Sequence, residues 1–176
     1  MSLQPMQAIR VHDYGDIDQL QLEQITRPEP QEGEVLVRVH AAGVNPIDWK
    51  VRQGLRKNML QMHFPYIPGM EIAGVVQGIG PGVTDLQVGQ AVYGQSMKGG
   101  YAEYTTTTAD SLGLKPQSLS FDEAAAVPVG AAAAWTGLFE AGKLEAGQRG
   151  IRRRWPVCGA ICSMERGACH CHYVGC

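Results

Sequence analysis

The string GACHCHYVGC sets Cys169, His170, Cys171 and His172 side by side, with Cys176 beyond them and Cys158 and Cys162 upstream. Thiolates and imidazoles at short spacing are the ligand types of structural zinc. Neighbours on an extended segment alternate faces, however, so these four cannot all reach one ion. Cys158 and Cys162 match a loose ligand pair, but no second pair completes a tetrahedral set. No metal site is therefore expected. A second constellation lies in GVNPIDWK, where Asn45, Asp48 and Lys50 fall in and just before a short predicted helix. A carboxamide, a carboxylate and an ammonium together can orient a polar ligand and move a proton. Each also has a plain structural reading. Asn45 fits a turn before Pro46, Asp48 favours a helix N-terminus, and Lys50 fits a solvated helix face. Glu71 stands among apolar residues in MEIAGVV and needs a partner there; Arg52 is the expected one. His40 and His63 have no metal-ligand companions.

The elements that must hold these residues read as short strands broken by Gly and Pro. MQAIRVHDYG and LQLEQITRPEP form a strand pair, and EVLVRVHAAGVN alternates Val35, Val37 and Val39 against its neighbours, which predicts one buried face. PIDWKVRQG starts with Pro at a position a helix accepts and stops at Gly54. MEIAGVVQGIGPGVTDLQVGQAVYG supplies a buried strand, a turn at GPGV and a strand from Gln90; GGYAEYTTTTADSLGLKP supplies two more. Gly69, Gly74, Gly80 and Gly82 permit turns and close backbone approach. The character changes at Ser120, which with Glu123 makes a capping box. The Ala-rich run that follows is helical to Glu140, broken at Pro128 and ended at Gly142. The fold class is mainly β with α, a partly open barrel followed by helices that lead into an α/β domain. The expected organisation is a barrel over 1–120, connecting helices over 121–149, and an aberrant tail over 150–176.

Composition narrows the function classes. The chain has 176 residues and a formal net charge of −2, which recommends no nucleic-acid partner. No apolar run reaches membrane-spanning length and the start lacks a signal-peptide layout, so no membrane association and a cytoplasmic location are expected. All five cysteines lie in the last 19 residues, which does not suit a disulfide framework.

AAGVNPIDWKVRQG, PYIPGMEIAGVVQGIGPGV, VGQAVYG, GGYAEY and AAAVPVGAAAAWTGLFE together resemble the medium-chain dehydrogenase/reductase superfamily, in its zinc-independent quinone oxidoreductase branch. The resemblance covers roughly residues 6–149. It implies a GroES-like catalytic domain leading into a Rossmann domain, with hydride passing from NADPH to a quinone or an activated carbon–carbon double bond. Zinc-dependent members carry Cys where this chain has Asn45 and His where it has Met70, and neither Asn nor Met is a normal zinc ligand. By the same resemblance Asn45, Asp48 and Lys50 are the candidate catalytic residues, and Asn45 and Ala133 the candidate cofactor contacts. Many members have Thr at the position of Ala133, so this chain lacks the hydroxyl that they carry there. Without a Lewis acid, the developing enolate or quinol oxygen needs hydrogen-bond donors. The resemblance leaves room for a homodimer in the intact enzyme.

After EAGQR the family continues with an apolar strand and a Gly-rich turn that takes a pyrophosphate at a helix N-terminus. This chain continues GIRRRWPVCGAICSMERGACHCHYVGC instead. Read one base forward, an allowed translation from Ile161 is FAQWKGARVIATTSA, which is similar to the end of the first Rossmann helix and the second strand of the family. The expectation is a frameshifted tail, and a chain that as written neither binds NADPH nor turns over. The competing reading is a stand-alone GroES-like module that binds a partner or ligand without redox chemistry.

Overall fold

The computed structural model describes residues 4–145 and, as backbone alone, 149–151, 159–165 and 168–174. The chain divides into two compact units, Met1–Val129 and Gly130–Cys176.

The first unit is built on antiparallel strands. β1 (Pro5–Arg10) and β2 (Gln21–Thr26) form a two-stranded ribbon, as the sequence predicts. A five-stranded sheet follows in the order β6–β3–β4–β5–β7, from β3 (Glu34–Gly43), β4 (Glu71–Ile79), β5 (Ala91–Gln95), β6 (Tyr104–Thr108) and β7 (Leu112–Leu114). Isolated bridges, Ala8 to Ala102 and Val11 to Tyr66, tie the ribbon to the loops around that sheet. The main core is aliphatic: Val35, Val37, Ile72, Val76, Leu86 and Val92 are all buried. Removing such a side chain from water contributes about 1.5–3 kcal/mol, so this cluster holds β3, β4 and β5 together.

The simple alternation expected for β3 gives way at one point. Val35, Leu36 and Val37 are buried in succession, and the register against β4 shifts between Leu36 and Val37 and again between Val39 and Ala41. These irregularities locally depart from a one-face pattern.

Three helical pieces matter to the site. α1 (Pro46–Arg52) begins with Pro at its first position, where a missing N–H costs nothing. α2 (Phe121–Ala125) opens on the expected capping box: the Ser120 Oγ accepts the Glu123 N–H at 3.2 Å, and the Glu123 carboxylate accepts the Ser120 N–H at 2.8 Å. Ala124 and Ala125 are buried with Ala73, so α2 packs on the sheet of the first unit. α3 (Pro128–Trp135) starts at the predicted break, because a proline ring clashes with a continuing helix turn. It passes into a π-helical turn at Thr136–Ala141, with Gly142 as its C-cap. The second unit also contains a three-stranded antiparallel sheet, β10–β9–β8, from β8 (Arg149–Ile151), β9 (Gly159–Glu165) and β10 (Ala168–Val174). The Cys/His run lies on β10, with Cys171 in register with Cys162.

Candidate functional site

The site is assembled at the start of α1. Asp48 reaches back so that its Oδ2 accepts the Asn45 N–H at 2.7 Å. Asn45 and Asp48 thus stand in a capping-box arrangement. The carboxylate arm is the stronger one, because the Asp48 N–H lies 3.0 Å from the Asn45 carbonyl and the Asn45 amide is engaged elsewhere. The same Asp48 Oδ2 accepts the Tyr101 hydroxyl at 3.0 Å. The cap reading of Asp48 and a site reading are therefore compatible: one carboxylate terminates the helix and holds a phenol.

Electrostatics single out this pair. Burial pushes the Asp48 carboxyl above the ordinary aspartate value, while the Asn45 N–H and Tyr101 hydroxyl pull it back. Tyr101 is pushed well above the usual phenol range by burial first and by the Asp48 charge second, so it stays a donor. Its position depends on Gly69, whose φ is +83°. A Cβ at Gly69 would lie 2.4 Å from the Tyr101 ring, so only glycine admits the ring there. The sequence contained both halves of this contact, PGM and GGYAEY, but carried no sign that they meet.

Asp48 lines a cleft with Ile47, Val51, Met62, Ile67, Met70 and Ser96. The mixture suits a largely apolar ligand with a polar group to be oriented. Tyr66 also lines it; its phenol is pushed up by burial, and its hydroxyl is buried with no hydrogen-bond partner among the described residues. Neither Tyr101 nor Tyr66 was legible as a site residue in a single sequence, since tyrosines in Gly-rich strands are ordinary core residues.

The remaining expected residues fall as follows. The Lys50 ammonium lies 5.4 Å from the centroid of the Trp49 ring, a cation–π contact on the half-exposed side of α1. Ala133 lies on α3, half-buried, in the second unit. His40 is exposed and stacks on Phe121, with ring centroids 4.4 Å apart. His63 is exposed. Among the described residues no group of three or more His, Cys, Asp or Glu side chains is placed to hold a metal ion. The Cys/His run lies outside the residues whose side chains are described.

One pairing must be corrected. Arg52 does not partner Glu71. Its guanidinium donates to the Gly15 carbonyl at 3.3 Å and lies 3.6 Å from Asp16, pinning the loop after β1. Glu71, 3% exposed, instead accepts the Asn45 Nδ2 at 2.5 Å through Oε2 and the Val129 N–H through Oε1. Sequence proximity favoured Arg52, but β4 leads Glu71 to the opposite end of α1. A neutral amide and a backbone N–H satisfy a buried carboxylate by charge-assisted hydrogen bonds, without a cation.

Comparison with known proteins agrees with this architecture. The model of the alcohol dehydrogenase GroES-like domain matches residues 31–134. A quinone oxidoreductase of Sus scrofa is 35% identical over 145 residues, covering 81% of this chain and 44% of that protein. A chloroplastic NADPH-dependent alkenal/one oxidoreductase of Arabidopsis thaliana is 40% identical over 152 residues, covering 78% of the chain and 39% of that protein. The solved quinone oxidoreductase of Coxiella burnetii superposes with a TM-score of 0.72 at 31% identity, over 82% of this chain and 47% of that one. The chain thus spans less than half the length of these relatives. With strands, capped helices and matched segment in agreement, the chain belongs to the alcohol dehydrogenase GroES-like domain family, in the quinone oxidoreductase branch of the medium-chain dehydrogenases/reductases.

Proposed function

We propose that this chain is the substrate-side part of an NADPH-dependent, zinc-independent oxidoreductase that reduces a quinone or an activated carbon–carbon double bond. The observation that carries the reading is the Asp48–Tyr101 hydrogen bond at the wall of an apolar cleft. Reduction of such an acceptor adds a hydride and then a proton, and the proton needs a donor of raised pKa shielded from water. Burial supplies that to Asp48 and keeps Tyr101 protonated. In this reading Asp48 carries the proton on Oδ1, since Oδ2 accepts from Asn45 and Tyr101, and passes it to the reduced acceptor. The Tyr101 hydroxyl steadies the carboxylate left behind, the apolar wall of Met62, Ile67 and Met70 excludes water, and Asn45 orients the bound oxygen. Lys50 and Ala133 take the secondary roles of a nearby cation and a cofactor wall. Asn45 and Met70, where zinc-dependent relatives place ligands, support a site without metal.

NADPH, when bound, supplies the hydride. Its pyrophosphate calls for a Gly-rich strand-to-helix turn, and the described residues form none. The chain as written is accordingly expected not to bind NADPH or turn over. Binding at micromolar strength by the purified 176-residue chain would overturn that expectation and the frameshift reading with it. A soluble, cytoplasmic enzyme is the setting this implies, and a homodimer is compatible with it. No described helix is long and apolar enough to cross a membrane.

The test uses the protein with its reading frame restored near codon 150. Asp48→Asn and Tyr101→Phe should each lower kcat for quinone or enone reduction by about a hundredfold, the lower end of the range for a lost proton donor. Unchanged kcat in both variants sinks the proton-donor assignment. A restored protein without any NADPH-dependent turnover would favour the stand-alone binding module.

A further inference from the structure

The Glu71 carboxylate makes no hydrogen bond to Asp48 or Tyr101, though its charge helps raise the Tyr101 phenol, and it is among the most deeply buried charged groups described. It is 3% exposed, and none of the ion pairs among the described residues involves it. Its two oxygens are divided between the Asn45 side-chain amide and the Val129 N–H. The backbone makes room for this arrangement: a Cβ at Gly43 would lie 2.4 Å from Glu71 Oε2 and 2.8 Å from the Ala125 carbonyl. A buried carboxylate with two donors and a glycine cleared around it is expensive to build by chance.

We infer that Glu71 is a positioning residue that fixes the orientation of the Asn45 carboxamide. The reason lies in which groups can donate and which can only accept. An ionised carboxylate only accepts, so the amide must turn its Nδ2 side toward Glu71. The amide carbonyl then lies toward the start of α1, and one Nδ2 hydrogen remains to be offered to a ligand oxygen. Without Glu71 the amide could flip by half a turn and present an acceptor instead, reversing what it recognises. Anchoring by the Val129 N–H holds the carboxylate itself in place, because both of its oxygens are occupied. The inference that this orientation serves ligand recognition rests on the oxidoreductase reading, in which Asn45 faces the bound oxygen. The lock itself does not depend on that reading.

The test is a reversed pair in the 176-residue chain. In Glu71→Gln, one oxygen cannot accept from both Asn45 and Val129, and the new amide meets a donor. In Asn45→Asp, two carboxylates face each other. In the double variant, the carboxylate introduced at position 45 accepts from the amide introduced at position 71. The carbonyl of that same amide still accepts the Val129 N–H, so every bond has a counterpart. Hydrogen exchange of the Val129 N–H is expected to quicken roughly tenfold in each single variant, the equivalent of about 1.4 kcal/mol, and to return within about twofold of wild type in the double. Additive losses in the double variant would overturn the lock. A 1,4-naphthoquinone titrated into the same proteins, followed by tryptophan quenching, separates lock from function. Weaker quinone binding in Glu71→Gln supports positioning, and the double variant, which restores the lock but leaves at position 45 a carboxylate with no hydrogen to donate, is expected to bind quinone weakly as well. Coupled exchange with unaltered quinone binding overturns it, whereas no quinone binding by the wild-type chain overturns the assignment of a quinone to this cleft and leaves the lock standing.

Discussion

Helices α2 and α3 are both Ala-rich and follow each other within a few residues, yet they end in opposite environments. FDEAA buries Ala124 completely and Ala125 to 2% exposure against Ala73 and its neighbours. PVGAAAAW buries none of its residues, and Trp135 is 59% exposed. Helix propensity favours both segments alike, so propensity does not distinguish them. The difference lies in what faces them: α2 has a sheet under it, whereas no residue of α3 is fully buried.

That contrast can be broken most directly in the core. Ile72→Ala removes a fully buried side chain from the cluster beneath the sheet and should cost about 2–5 kcal/mol in denaturant unfolding. Trp135→Ala should cost no more than about 1 kcal/mol, the worth of its ring contact with Phe139. Equal losses at the two positions would mean that α3 is packed as firmly as the sheet.

Overpacking sharpens the comparison at the helices themselves. Ala124→Leu should destabilise by about 1–3 kcal/mol, because Ala124 has no exposed surface to yield. Ala132→Leu, on the exposed part of α3, should stay within about 0.5 kcal/mol. The same denaturant curves decide it, and a larger cost at Ala132 would reverse the assignment of the covered helix. A smaller effect is expected at the cap. Ser120→Ala removes the acceptor for the Glu123 N–H and should cost about 1 kcal/mol. Its loss should loosen α2 while leaving hydrogen exchange in α3 unchanged.

The smallest expected effect is a pH dependence at the site. Asp48 has a folded pKa raised above its unfolded value, so the folded state holds that proton more tightly. Its contribution to stability is fully present below the unfolded aspartate pKa and is lost as pH rises through the higher folded value. Melting temperature against pH, wild type minus Asp48→Asn, should therefore fall across the interval just above the ordinary aspartate range. A rise instead would mean that the hydrogen bonds from Asn45 and Tyr101 outweigh burial.

The sequence alone was sufficient for much of this. Alternating valines, the Pro at the start of α1, the Ser120–Glu123 pair and the break at Pro128 are local signals, set within a few residues by sterics and hydrogen bonding. They located the elements closely and, through the linked motifs, the family. Asn45 and Asp48 were legible as candidates because they sit beside a helix start. Other features required the fold. Tyr101 meets Asp48 across 53 positions, admitted by a glycine in another loop. Glu71 finds Asn45 rather than Arg52, because β4 delivers it to one end of α1 and not the other. Whether an Ala-rich helix is core or surface was decided by the sheet beneath it. Local conformation is governed by short-range sterics, which a sequence displays; which buried polar groups pair depends on long-range topology, where the cost of an unsatisfied charge selects the partner.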